Sequence, residues 1–193
     1  MNPFVARSVP HGAQVYVILG VLLGAAFSAM IVLFVAGEIL SDPGGAQGAA
    51  YVLAWLALPA LLSVLALVRA QAAYPVLVIG VAIVLVASLA TIPWALPVWE
   101  FEDTHGPINL MVLIGALIPP IALGRAMPWE AGWLLVATIA GSVALQSISL
   151  GLIGQWSVIP VLIVVTAPFV AVAMLFVIGG ARARRDSNPQ PTG

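Results

Sequence analysis

The chain has 193 residues, of which 63% are hydrophobic and 7% charged, with six basic residues, seven acidic ones and no cysteine. A soluble domain carries about a quarter charged residues, so composition alone excludes a water-soluble fold. The missing cysteines exclude thiolate catalysis, disulfide exchange and thiolate-bound iron–sulfur clusters, and the absence of lysine excludes Schiff-base chemistry and a phosphate-loop lysine.

Apolar runs of about 20 residues recur along the chain, each long enough to cross a hydrocarbon core roughly 30 Å thick as a helix. The runs are continuous, whereas the strands of a membrane barrel alternate polar and apolar residues. Backbone amides have no water partners in lipid, so the runs are helical. The sequence therefore reads as all-α: a polytopic six-transmembrane-helix bundle with short loops and both termini cytoplasmic. Residues 1–13 precede the transmembrane domain, 14–180, and 181–193 form a basic and then disordered cytoplasmic tail.

The first span covers 14–36 and follows Arg7. Its apolar stretch outlasts a signal-peptide h-region of about 7–15 residues, which predicts an uncleaved anchor. Gly20, Gly24 and Ser28 form a small-residue stripe beginning with a GxxxG, which allows close helix packing inside the bundle, in a homo-oligomer or against another membrane protein. Glu38 follows at the C-terminal end, where the helix dipole disfavours a negative charge. An acid among apolar neighbours at a membrane edge is the kind of carboxylate a proton-coupled carrier uses, and it is equally able to reach the headgroups and do nothing.

After the breaker Ser41-Asp42-Pro43-Gly44-Gly45, the second span covers 49–68, carries Pro59 and ends at Arg69; the third covers 75–96. The segment from Trp99 to Pro107 then reads as a loop holding the densest polar group of the chain: Glu100, Glu102, Asp103 and His105. Carboxylate oxygens and an imidazole suit a divalent cation, and the same groups offer an acid and a base to a substrate. The structural account is that Asp103 or Thr104 caps the next helix and Pro107 sits in its first turn.

The fourth span, 108–124, is short and contains Pro119-Pro120, which with Pro59 are the best kink candidates. Arg125 and Glu130 face each other across the following turn and are expected to pair. The fifth span, 132–153, is the most polar. Its Ser142, Gln146 and Ser149 are three and four residues apart, share one face, and serve either interhelical hydrogen bonding or a substrate path. The sixth covers 158–179 and is followed by Arg182, Arg184 and Arg185 as a stop-transfer flank.

Arg7, Arg69, Arg125 and the cluster Arg182, Arg184 and Arg185 all fall on flanks that six-span threading places on one side. Positive residues near span ends stay in the cytoplasm, which sets the orientation. Arginine in place of lysine, with abundant Ala, Gly and Val, points to a bacterial cytoplasmic membrane. Trp94, Trp99, Trp156, Tyr51 and Trp55 are assigned to an outer aromatic belt, and Trp129, Trp133, Tyr74 and Tyr16 to an inner one.

His11 and His105 lie outside the spans, so a bis-histidine haem has no ligands and no cofactor is expected. The basic tail lacks the aromatic and basic surface of a nucleic-acid site; its expected partner is the lipid bilayer. No hydrolase, phosphotransferase or nucleotide-loop motif is present. The leading functional expectation is a non-enzymatic structural or accessory membrane subunit, because buried polar chemistry is scarce. The first alternative is a small-solute or ion permease using Glu38, Gln146 and proline-kinked helices, and the second is an extracytoplasmic metal-dependent activity at Glu100, Glu102, Asp103 and His105.

Overall fold

The structure is a computed structural model that describes residues 11–41, 45–105 and 108–186, with side chains for 12–40, 48–102 and 108–186. Every described element is helical: α1 (His11–Ser41), α2 (Gly45–Val68), α3 (Ala70–Thr91), α4 (Ala95–His105), α5 (Ile108–Leu123), α6 (Pro128–Leu152) and α7 (Ile159–Asp186). Single 3-10 turns, Ile92–Trp94 and Trp156–Val158, lead into α4 and α7. Five helical stretches are long and apolar enough to cross a membrane: α1, α2, α3 continued through α4 to Glu102, α6 and α7. This marks a membrane-embedded protein. The sixth apolar helix, α5, has only 16 residues, which is roughly 24 Å of helix.

Side-chain contacts fix how the helices run. Pro59 and Trp55 of α2 lie against Gly115 of α5, and the Trp55 indole N–H donates to the Met111 carbonyl at 2.9 Å. Rising numbers on one helix meet rising numbers on the other, so α2 and α5 are parallel, and Arg69 and Arg125 beyond their C-terminal ends share one end of the bundle. Conversely, α1 is antiparallel to α7: Gly20 faces Phe176, Gly179 faces Tyr16 and Val17, and the Phe27 and Phe169 rings lie 6.4 Å apart. The Arg182 guanidinium stacks on the Tyr16 ring at 4.3 Å, which places the start of α1 and the end of α7 together. The described arginines therefore gather at one end.

The core is centred on α5, which packs against α1, α2, α3 and α6. Leu113, Ile114, Leu117, Leu123, Pro119 and Pro120 of α5 are fully buried, beside Leu135 of α6 and Phe169, Val172 and Phe176 of α7. This arrangement explains how a short helix with two adjacent prolines survives. Each proline withholds one helical N–H, leaving the Gly115 and Ala116 carbonyls without their usual donors. Such backbone is tolerated at membrane depth only when protein surrounds it. The outward faces are apolar, with Leu33, Leu53, Val68 and Val164 among the most exposed side chains, as a lipid-facing surface requires.

The small-residue stripe of α1 is used inside the chain. A Cβ on Gly20 would meet Phe176 at 2.6 Å, a Cβ on Gly24 would meet Ile121 at 2.8 Å, and Ser28 is buried with its hydroxyl unpaired among the described residues.

Helix bounds extend beyond the sequence reading at several ends, and three of the differences have an identifiable reason. First, α3 starts at Ala70, because Ala-Gln-Ala-Ala is a strong helix former and only Arg69 separates it from α2. Second, the segment expected to loop after 96 is the helix α4. Pro93 and Pro97 look like breakers, yet each falls in the first turn of its helix, where an N–H has no helical partner to lose. Third, α7 runs past 179 to Asp186, putting Arg184 and Arg185 in a last turn whose dipole favours them.

The break after α6 matches the expected one at 154–157. Gly154 adopts φ +76°, and Gln155 N–H donates to the Leu150 carbonyl at 2.9 Å while Gly154 N–H donates to Gly151 at 3.2 Å. That hydrogen-bond pair is the Schellman helix stop, whose left-handed residue glycine adopts without steric cost. At the other end of α6, Pro128 occupies the first turn and Glu130 adds a favourable negative charge.

Candidate functional site

Away from the arginines, the bundle opens into a cavity of about 490 Å³. Its wall is assembled from α1, α3, α4, α5, α6 and α7, so it exists only because six helices converge. Glu38 contributes from α1, Glu102 from α4, and Gln146 and Ser149 from α6. Four polar residues from three helices far apart in sequence thus share one space. Phe34, Trp99, Leu145, Leu162 and Val165 supply much of the apolar remainder.

Each polar group reaches the cavity for a local reason. Gln146 and Ser149 are three apart on α6 and therefore project from one face. Ser142, one turn deeper on the same face, is buried and stays outside the lining. Deeper hydroxyls are absorbed by their own helices: Thr138 donates to the Leu134 carbonyl at 2.8 Å and Thr166 to Leu162 at 2.9 Å. Glu38 is exposed and lines the cavity one turn after Phe34. Among the described residues it makes no hydrogen bond or ion pair.

Glu102 is differently situated. One carboxylate oxygen accepts from the backbone N–H of Asn109, and the other accepts from the Asn109 side-chain amide at 3.0 Å. It satisfies an otherwise unpaired amide in the first turn of α5 and places negative charge at that helix's positive end. Glu102 thus caps the start of α5, while the side chains of Asp103 and Thr104, of which that role was expected, lie outside the described residues. Asn109, Ser88, Thr91, Trp99 and Phe34 also line the cavity and are not marked as site residues by the sequence. Asn109 had a weak signal in the sequence, being the one polar residue in the first turn of an otherwise apolar helix.

The proposed metal group falls on α4 and not on a flexible loop. Glu100 is exposed and outside the cavity lining, and Glu102 is committed to Asn109. The side chains of Asp103 and His105 lie outside the described residues, and no three metal-binding side chains come together among those described.

The arginine end is built from direct contacts. Arg184 pairs with Glu130 at 2.8 Å and lies 4.7 Å from the Trp129 ring centroid, while Trp129 meets Trp133 edge-on at 5.8 Å. The partner expected for Glu130 was Arg125, its neighbour across the turn. Arg125 is exposed instead, and the extension of α7 carries Arg184 to Glu130. The aromatic residues therefore divide into two groups. Trp94, Tyr51, Trp133 and Trp156 are exposed as interfacial anchors are. Trp55, Trp99, Trp129 and Tyr16 are engaged within the protein.

No family model matches the chain, and comparison with curated proteins and with solved structures finds no similar protein. Function must be argued from the cavity itself.

Proposed function

We propose that the chain is a six-span protein of the bacterial cytoplasmic membrane, with both termini in the cytoplasm, that binds a small solute in the cavity at its acidic, outward end and acts as its permease. The observation that carries this reading is the convergence of Glu38, Gln146 and Ser149 in one space of about 490 Å³, within the size range of small-molecule sites. Polar groups inside a membrane bundle are costly unless they serve a path or a site. An accessory subunit, the reading favoured by scarce polar chemistry, has no need to gather its few polar side chains around empty space.

The orientation is supported by the clustering of the described arginines at the opposite end. Because the chain has no cysteine, single cysteines at Ala126 and Gln155 report topology without background. Under this reading an impermeant maleimide labels Gln155→Cys from outside the cell and labels Ala126→Cys only after lysis. The reverse pattern, Ala126→Cys labelled from outside and Gln155→Cys only after lysis, would mean that α5 does not cross or that the whole bundle is inverted. Transport is tested by uptake of candidate solutes into proteoliposomes. Uptake unchanged in the Glu38→Gln, Gln146→Leu double variant would remove both residues from the path.

A further inference from the structure

The composition of the cavity wall indicates which kind of solute it takes. Among the described residues, Glu38 and Glu102 are its only charged lining side chains, and both are acidic. The described arginines lie at the other end, too far to offset them. An anionic solute would meet uncompensated repulsion in a space with largely apolar walls, where charges are poorly screened. A neutral solute would cover Glu38 without supplying the counter-charge that burial of a carboxylate demands.

The two acids are not equivalent. Glu102 is anchored by both its oxygens to Asn109 and to the positive end of α5, so it is fixed and partly compensated. Glu38 has no such partner among the described residues, and it stands one helical turn after Phe34, on the same face of α1. Trp99 contributes a second aromatic side chain to the wall. Aromatic faces attract cations that carboxylates alone would hold only in hydrated form. Gln146 and Ser149 add neutral hydrogen-bonding groups from α6.

We infer that the cavity binds a monovalent organic cation, an amine or quaternary ammonium carrying an apolar body, with Glu38 as its counter-ion and Phe34 and Trp99 as its aromatic wall. This assignment rests on the cavity being the ligand site proposed above. A bare divalent metal is a poorer match, because one of the two acids is already committed and the remaining wall is mostly apolar.

The test uses the purified full chain in lipid nanodiscs and three probes of similar size: phenyltrimethylammonium, its uncharged isostere tert-butylbenzene, and benzenesulfonate. Binding is followed by calorimetry and by tryptophan fluorescence. The expected result is saturable binding of phenyltrimethylammonium, with the other two weaker by roughly tenfold or more. Glu38→Gln should lower affinity for the cation by about the same factor and leave tert-butylbenzene unchanged, whereas Glu38→Asp should retain part of the cation preference. Melting of each variant in the same nanodiscs confirms that it is folded.

Equal binding of the neutral or the anionic probe would overturn the charge assignment and leave the cavity standing as a ligand site. Saturable binding of none of the three would overturn both. Unchanged cation binding in a folded Glu38→Gln protein would overturn the role of Glu38.

Discussion

The two ends of this bundle are built in opposite ways from the same helices. At the arginine end, glycines let neighbouring helices approach: Gly20 and Gly124 lie against the Phe176 ring, and Gly180 lies against the backbone of Trp129. Two of the arginines there are paired or stacked, Arg184 on Glu130 and Arg182 over Tyr16. At the acidic end the helices diverge around a cavity, and Glu38 has no partner of that kind among the described residues. The difference teaches that close packing at one end holds the bundle together, which frees the other end to remain open.

This contrast is best broken at its closed end, where the largest effects on stability are expected. Phe176→Ala removes a fully buried ring that touches α1 and the turn after α5. It should cost about 3–5 kcal/mol, read as a loss of denaturant resistance in detergent micelles, and an effect below about 1 kcal/mol would mean that this ring is not the centre of the packing. Gly180→Val comes next. Its Cβ would lie 2.6 Å from the Trp129 backbone nitrogen, which cannot rotate away as a side chain can. About 1–3 kcal/mol of destabilisation is expected by the same measurement.

Trp55→Phe tests the hydrogen bond that ties α2 to α5. The ring volume is largely kept while the donor to Met111 is lost, and interhelical hydrogen bonds in membranes contribute roughly 0.6–1.7 kcal/mol. A smaller change is expected from the Arg184–Glu130 pair, whose side chains are 57% and 25% exposed. A double-mutant cycle with Arg184→Gln and Glu130→Gln should give a coupling of about 0.2–1 kcal/mol, weakened by added salt.

The smallest effect on folding is expected at the open end. Ser149→Trp places an indole into space that is already empty, so melting should barely move, while binding of phenyltrimethylammonium should be abolished. If this variant unfolds the protein, the two ends are not independent and the contrast between them fails.

Much of the fold was legible without tertiary information, and the exceptions follow a pattern. The apolar runs and the stop at Gly154 depend on local rules of length and backbone conformation, and they appear where expected. The stretch from Trp99 to His105 reads as a loop in the sequence because prolines and carboxylates usually mark loops, and it is helical. Near a membrane surface a helix can carry both, provided the prolines fall in first turns and the acids reach water or a helix N-terminus. Glu130 was assigned the nearer arginine in sequence, whereas the length of α7 and its contact with α6 decided which one it meets.

By itself, the sequence determined that this protein is helical and membrane-embedded, since 63% hydrophobic residues in long unbroken runs leave the backbone no other way to satisfy its hydrogen bonds. It also marked Glu38, Gln146 and Ser149 individually, because polar groups near or within apolar helices stand out. Tertiary structure alone decided that they share a cavity, that Ser142 is left out of it, and that the Gly20–Gly24–Ser28 stripe is covered within the chain. Helical periodicity tells which residues of one helix share a face. Which faces meet depends on how six helices fill space around the short, proline-bearing α5, and no single segment encodes that.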